Sequence, residues 1–185
     1  ARRTRNIIFA NSMATATEGN YTISQGEGTN ARLQPDTGIT NYFGNNVIEV
    51  GVEDFNNNGA YRARNDSTLT LGGGLAVNGR AANFNNLSGD TGTVIVNGIT
   101  GTVNGGVNIS NGLVILNGEN TYTSTTVANA ITRVNGGTLL VNGSLAATAN
   151  PVTVNVSSTE NGTLGGLGTI DRPVIPGLAF CALAT

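Results

Sequence analysis

The segments Glu49-Val50-Gly51-Val52-Glu53-Asp54-Phe55 and Tyr61-Arg62-Ala63-Arg64-Asn65-Asp66 hold the densest group of carboxylates and guanidinium groups in the sequence. Glycan hydrolysis needs two carboxyl groups about 5 to 9.5 Å apart, and lyase chemistry adds an arginine or lysine. On a single strand Glu49 and Glu53 share a face but sit about 13 Å apart, at about 3.3 Å per residue, which is too far. Glu53 and Asp54 face opposite sides of that strand. Arg62 and Arg64 share a face and are placed to neutralise Glu49 and Glu53 on an adjacent strand, so the group reads as a surface ion-pair patch. The run Asp54-x-Asn56-x-Asn58-Gly59 reproduces the opening of a calcium-binding loop. Asn65 stands where that loop needs its bidentate glutamate, and flanking helices are not expected, so no metal site is assigned.

Other chemistry is sparse. The chain has no histidine, which removes Ser–His–Asp and Cys–His nucleophilic sites and most zinc sites. Cys181, the one cysteine, lies in an apolar tail with no basic neighbour and reads as an inert thiol. The "GGG" at 72–74 lacks the Lys-Ser/Thr of a phosphate loop. Asn-x-Ser/Thr triplets such as Asn65-Asp66-Ser67 and Asn142-Gly143-Ser144 are what chance gives in so Asn- and Thr-rich a chain. The expectation is no catalytic residue and no cofactor. Charged residues make up 11% of 185 and the net charge is −2, so there is no electrostatic case for nucleic acid. Arg2, Arg3 and Arg5 read as a solvated end. No apolar run approaches the roughly 20 residues of a membrane span. "NIIFA" at 6–10 is too short for a signal-peptide core, so any export signal is expected to be already removed or to lie outside this sequence.

What must position these residues is a set of short strands. "TLTLGG" at 68–73, "TVIVNG" at 93–98, "LVILNG" at 113–118, "TLLVNG" at 138–143 and the degenerate "TLGGLG" at 163–168 begin 25, 20, 25 and 25 residues apart. "NVIEVG" at 46–51 suggests a sixth member, aligned with its Asn46 opposite Thr68. Strand and Asn-Gly turn repeating at this interval indicate the coils of an all-β solenoid. Alternation turns Leu69/Leu71, Val94/Val96, Val114/Leu116 and Leu139/Val141 to a dry interior built by neighbouring coils. Asn97, Asn117 and Asn142 are expected to stack as an amide ladder, or else simply to make hairpin turns; Gly98, Gly118 and Gly143 supply positive φ at the corner.

The opposite face is expected to carry Ile95, Ile115 and Leu140 in one column joined by Leu113. An outward apolar stripe of this kind marks a contact surface. Its cover is either a part of this chain or a neighbouring subunit. Within the chain the choices are "NIIFA" and the tail at 174–185, with Val174, Ile175, Leu178 and Phe180 as the tail's contacts.

"NGLVILNGENTYTSTTV" at 111–127, then "GGTLLVNGSL" at 136–145 and "GTLGGLGTI" at 162–170, resembles the autotransporter-associated β-strand repeat of bacterial surface proteins. Asn120, Thr121, Tyr122, Thr123, Thr126 and Val127 fall on motif positions; Ser124 replaces the usual glycine. The resemblance covers 111–170 well and 67–110 loosely. It implies a right-handed parallel β-helix at the cell surface, used for scaffolding, adhesion or display. Too few residues follow 170 for a membrane-anchoring barrel, so self-transport is not expected. Within "NTYTSTTV", Thr and Tyr suit an exposed or edge-facing second strand, and Val127 points inward.

The resulting expectation is a right-handed parallel β-helix with coils of about 20–25 residues. A less regular cap or assembly segment spans 1–66, solenoid repeats 67–172 and an apolar tail 173–185. The function expected is that of a secreted or surface, non-enzymatic subunit that polymerises with itself. The alternatives are an adhesin module binding surface glycans, and a polysaccharide-active enzyme.

Overall fold

The computed structural model describes residues 2–4, 7–9, 20–24, 31–55, 59–79, 81–101, 105–123, 132–148, 150–155 and 161–177. Among them are short strands and no helix. The chain winds as a parallel β-solenoid with three faces, laying one strand on each face per turn.

On the first face Arg2–Thr4, Arg32–Pro35, Gly51–Phe55, Leu75–Asn78 and Ile99–Thr100 pair in that order, and Glu119–Asn120, Ser144–Leu145 and Thr169–Ile170 form a second ladder beyond them. The second face is an 8-stranded sheet running from Ile7–Phe9 through Ala60–Ala63 and Gly106–Ile109 to Val174–Pro176. The third is a 7-stranded sheet from Thr22–Ile23 to Thr163–Gly165. Every strand pair is parallel, so successive turns present the same residue positions to the same side.

The repeats read from the sequence are the third face. Thr93 pairs with Thr68 and with Leu113, and Leu113 with Thr138, so the columns form without slippage despite unequal coil lengths. The variation in length falls at the corners, where it costs the ladder nothing. Leu69, Val94, Val114 and Leu139 are all 0% exposed, as are Leu71, Val96 and Leu116. Burying each such side chain contributes about 1.5–3 kcal/mol. Tyr61, Phe84, Ile109 and Val134 fill the second-face side of the same interior, with the Tyr61 and Phe84 rings 5.7 Å apart.

Two expectations need correction. Asn45, not Asn46, pairs with Thr68, a one-residue slip from the expected alignment. Because side chains alternate, that slip turns Asn46 inward, where it is 1% exposed. Before residue 67, Gly38–Asn41, Asn45–Ile48 and Gly51–Phe55 each join a sheet that continues into the repeats. Finally, Gly98 and Gly118 have φ of 129° and 65°, whereas Gly143 serves close approach instead. A Cβ on Gly143 would lie 1.8 Å from the Gly118 carbonyl oxygen.

Candidate functional site

The acidic segment is not one strand. The third-face strand ends at Ile48 and the first-face strand begins at Gly51, so a corner separates Glu49 from Glu53. Val50 at that corner is buried at 4%. Glu49 is exposed, while Glu53 points outward and accepts a 2.5 Å hydrogen bond from Gln34 Nε2.

Asp54 faces the other way, as alternation requires, into the core beside Val77 of the next turn. It is 2% exposed; its Oδ2 accepts the Gly59 N–H at 2.9 Å and its Oδ1 has no partner. The nearby Tyr61 hydroxyl is buried without a partner as well. Burial pushes the Asp54 carboxyl up to about 7, against a smaller lowering by the Gly59 N–H. Tyr61 is raised too, first by burial and then by Asp54. A carboxyl in this position is closed to a solvent-borne substrate. Asn56 and Asn58 of the calcium-like run lie outside the described residues, and Asp54 itself is spent on holding the corner backbone.

Arg62 and Arg64 do share an outward face, but their carboxylate is Asp90, one turn on. Arg62 Nε lies 2.7 Å from Asp90 Oδ2 and its Nη2 3.0 Å from Oδ1, a bidentate pair. Arg64 Nε is 3.7 Å from Oδ1, and its guanidinium lies 5.4 Å from the Tyr42 ring centre. Asp90 Oδ2 also accepts the Leu87 N–H at 2.9 Å, which fixes the turn that brings it back over Arg62. In the sequence Asp90 is a lone acid in a Gly-Asp turn, and only the winding of the coil brings it to Arg62.

These groups line the corner between the second and third faces, and buried amides hold that corner. Asn46 Nδ2 donates to Asn41 Oδ1 at 2.7 Å and to Phe43 O at 2.9 Å, and Asn46 Oδ1 accepts the Tyr21 N–H at 2.7 Å. Asn41 Nδ2 reaches Gly44 O and Thr68 O at 3.1 and 2.8 Å. Both residues are essentially fully buried. Two turns on, Asn85, with φ 47°, takes the Ala63 N–H and donates to Gly92 O.

The expected ladder of Asn97, Asn117 and Asn142 sits at one corner in register, following paired Val96, Leu116 and Val141. The bonds run to backbone rather than from amide to amide: Asn97 Nδ2 to Gly72 O and Leu167 N–H to Asn142 Oδ1, both at 3.4 Å. Amide-to-amide bonds occur elsewhere, from Asn108 to Asn83 at 3.0 Å and from Asn155 to Asn135 at 2.6 Å.

On the third face Ile95 pairs with Ile115 and Ile115 with Leu140, with Leu113 beside them, all half-buried and outward. Val174 and Ile175 are exposed and lie on the last second-face strand, paired with Val152–Val154, so this part of the tail is on a different face from the stripe. Leu178 and Phe180 lie outside the described residues. Beside Val174 and Pro176, a hollow of about 480 Å³ opens against Val154 and Leu164.

The structure corrects part of the reading of "NTYTSTTV": Thr121 is exposed as expected, but Tyr122 is not. Asn120 and Tyr122 are 0% exposed, and Val127 lies outside the described residues. Asn120 Oδ1 accepts the Ile99 N–H at 3.0 Å and its Nδ2 donates to Ser144 O at 3.0 Å, so the side chain bridges the two ladders of the first face. The Tyr122 hydroxyl bonds Thr132 Oγ1. Over the Tyr122 ring, at 4.8 Å, lies Arg172, itself 5% exposed; its Nη2 donates to Ala146 O at 3.0 Å. Burial lowers the Arg172 pKa, opposed by Tyr122.

The chain matches no protein-family model, no curated protein and no solved structure.

Proposed function

We propose that the protein is a structural, non-enzymatic surface subunit that assembles with copies of itself through the third face. The observation that carries this reading is the register of Ile95, Ile115 and Leu140, which puts a half-exposed apolar column on a regular sheet. The adjoining outward column, Thr68, Thr93, Leu113 and Thr138, is uncharged, so this side of the stripe brings no like charges together. Five strands about 4.8 Å apart and four residues long cover about 300 Å², well below what a standalone interface buries per partner. Such a contact holds only when repeated, as in a fibre or layer, where many weak contacts add. The resemblance to the autotransporter-associated repeat supports an extracellular place for it.

Sedimentation and electron microscopy over a range of concentrations test the reading. The native chain should polymerise, and Ile115→Lys should remain folded and monomeric. Uniform monomers of the native chain at every salt and concentration would reject assembly.

A further inference from the structure

The sequence scatters its few aromatic residues, but the coil gathers the exposed ones. Tyr21 precedes the first third-face strand, and Tyr42 and Phe43 form the same corner one turn later. Tyr21 is 59% and Phe43 46% exposed. Phe9 backs the Tyr21 ring in a stack at 6.4 Å, Phe43 lies 6.4 Å from Tyr42, and Arg64 covers Tyr42 from the following turn. The backbone under both exposed rings is fixed by the buried Asn41–Asn46 pair, which bonds Tyr21 N–H, Phe43 N–H and Phe43 O. Rigid presentation of this kind lowers the entropic cost of binding.

We infer that this corner, between the second and third faces at Tyr21 and Phe43, binds a neutral oligosaccharide, with sugar rings stacked on the two aromatic side chains. Aromatic rings supply apolar contact for the C–H face of a sugar, and polar groups beside them take its hydroxyls. Asn20 and Asn45 are exposed at the same corner, and the Arg64 guanidinium stands on the next turn. Charge selects the class of ligand. Arg62 and Arg64 are offset by Asp90 beneath them and by exposed Asp66 on the same corner, which leaves no net field for an acidic polymer or a membrane. The Asn46 side-chain amide bonds both Tyr21 N–H and Phe43 O, so the two exposed rings rise from adjoining turns at one corner, where a single oligosaccharide would engage both. The site does not depend on assembly through the third face.

Calorimetry and saturation-transfer NMR of the soluble monomeric Ile115→Lys protein against β-glucan, mannan and galactan oligosaccharides test the inference. Saturable binding to one of these is expected, weakened about tenfold or more by either Tyr21→Ala or Phe43→Ala. Both side chains are exposed and Asn46 grips backbone, so circular dichroism and the thermal midpoint should stay unchanged in both variants. Absence of saturable binding to all three probes, or binding that survives both substitutions, would overturn the assignment. So would binding to glycan-free collagen that Tyr21→Ala abolishes, since the ligand would then be protein.

Discussion

Asp54 shows what one residue does to a solenoid core. Its neighbours from the adjoining elements are Val77 and Tyr61, and no cation faces it among the described residues. In the unfolded chain the carboxyl ionises near 3.8, whereas in the fold it holds its proton up to about 7. Between those values the folded state keeps a proton that the unfolded state has lost, so stability falls as pH rises through that window. The contribution is complete below the unfolded value and is lost by the folded one. Three pKa units correspond to a penalty of about 4 kcal/mol at neutral pH and above. Asp54→Asn should therefore give a urea midpoint almost independent of pH from about 4 to 7, the window in which the native protein loses stability. An unchanged slope in the variant would show that another group titrates. Sequence alternation placed Asp54 opposite Glu53 correctly. It did not reveal the interior, because the corner at Val50 leaves no signature in a run as regular as Glu49-Val50-Gly51-Val52-Glu53.

At the scale of the element, the legible parts were the strands whose pattern repeats. Thr68–Leu71, Thr93–Val96, Leu113–Leu116 and Thr138–Val141 stand where the hexapeptides place them, with the expected side chains buried. The first and second faces were not legible as separate sheets, because Ala81–Phe84 or Ile99–Thr100 carries no motif and gains strand character only from the turns above and below. The slip at Asn46 has a similar cause: a polar residue on the inward side belongs to the corner's amide network, and alternation alone assigns it to solvent. Corners are also where substitutions should be costliest. Gly143 does not need positive φ, yet a methyl group there meets the Gly118 oxygen at 1.8 Å and its nitrogen at 2.5 Å. Both contacts are backbone in a hydrogen-bonded ladder and cannot swing aside. Gly143→Ala should cost about 3 kcal/mol or more in thermal or urea unfolding, although alanine is the mildest replacement available. A near-neutral effect would mean that adjacent turns separate more easily than the ladder suggests.

Across the whole molecule, stability is a sum of contacts between adjacent turns, because each turn buries its face only against its neighbours. The middle turns are enclosed on both sides. The last are not: Leu164 and Ile170 are only partly buried, and Val174 and Ile175 are exposed. Arg172 compensates there, reaching Ala146 O from Nε and Nη2, Tyr122 O from Nη2 at 3.5 Å, and the face of the Tyr122 ring. One side chain thus ties three consecutive turns, and it rests on neutral carbonyls and a ring rather than on a carboxylate. Hydrogen exchange should accordingly be slowest for amides in 93–101 and 105–116 and faster in 163–176. Arg172→Ala should speed exchange in 144–154 and 169–176 severalfold and leave 68–96 unchanged, because the loss passes only to the turns Arg172 touches. If exchange instead quickens equally along the whole chain, the turns unfold as one unit, and the nearest-neighbour account of this solenoid fails.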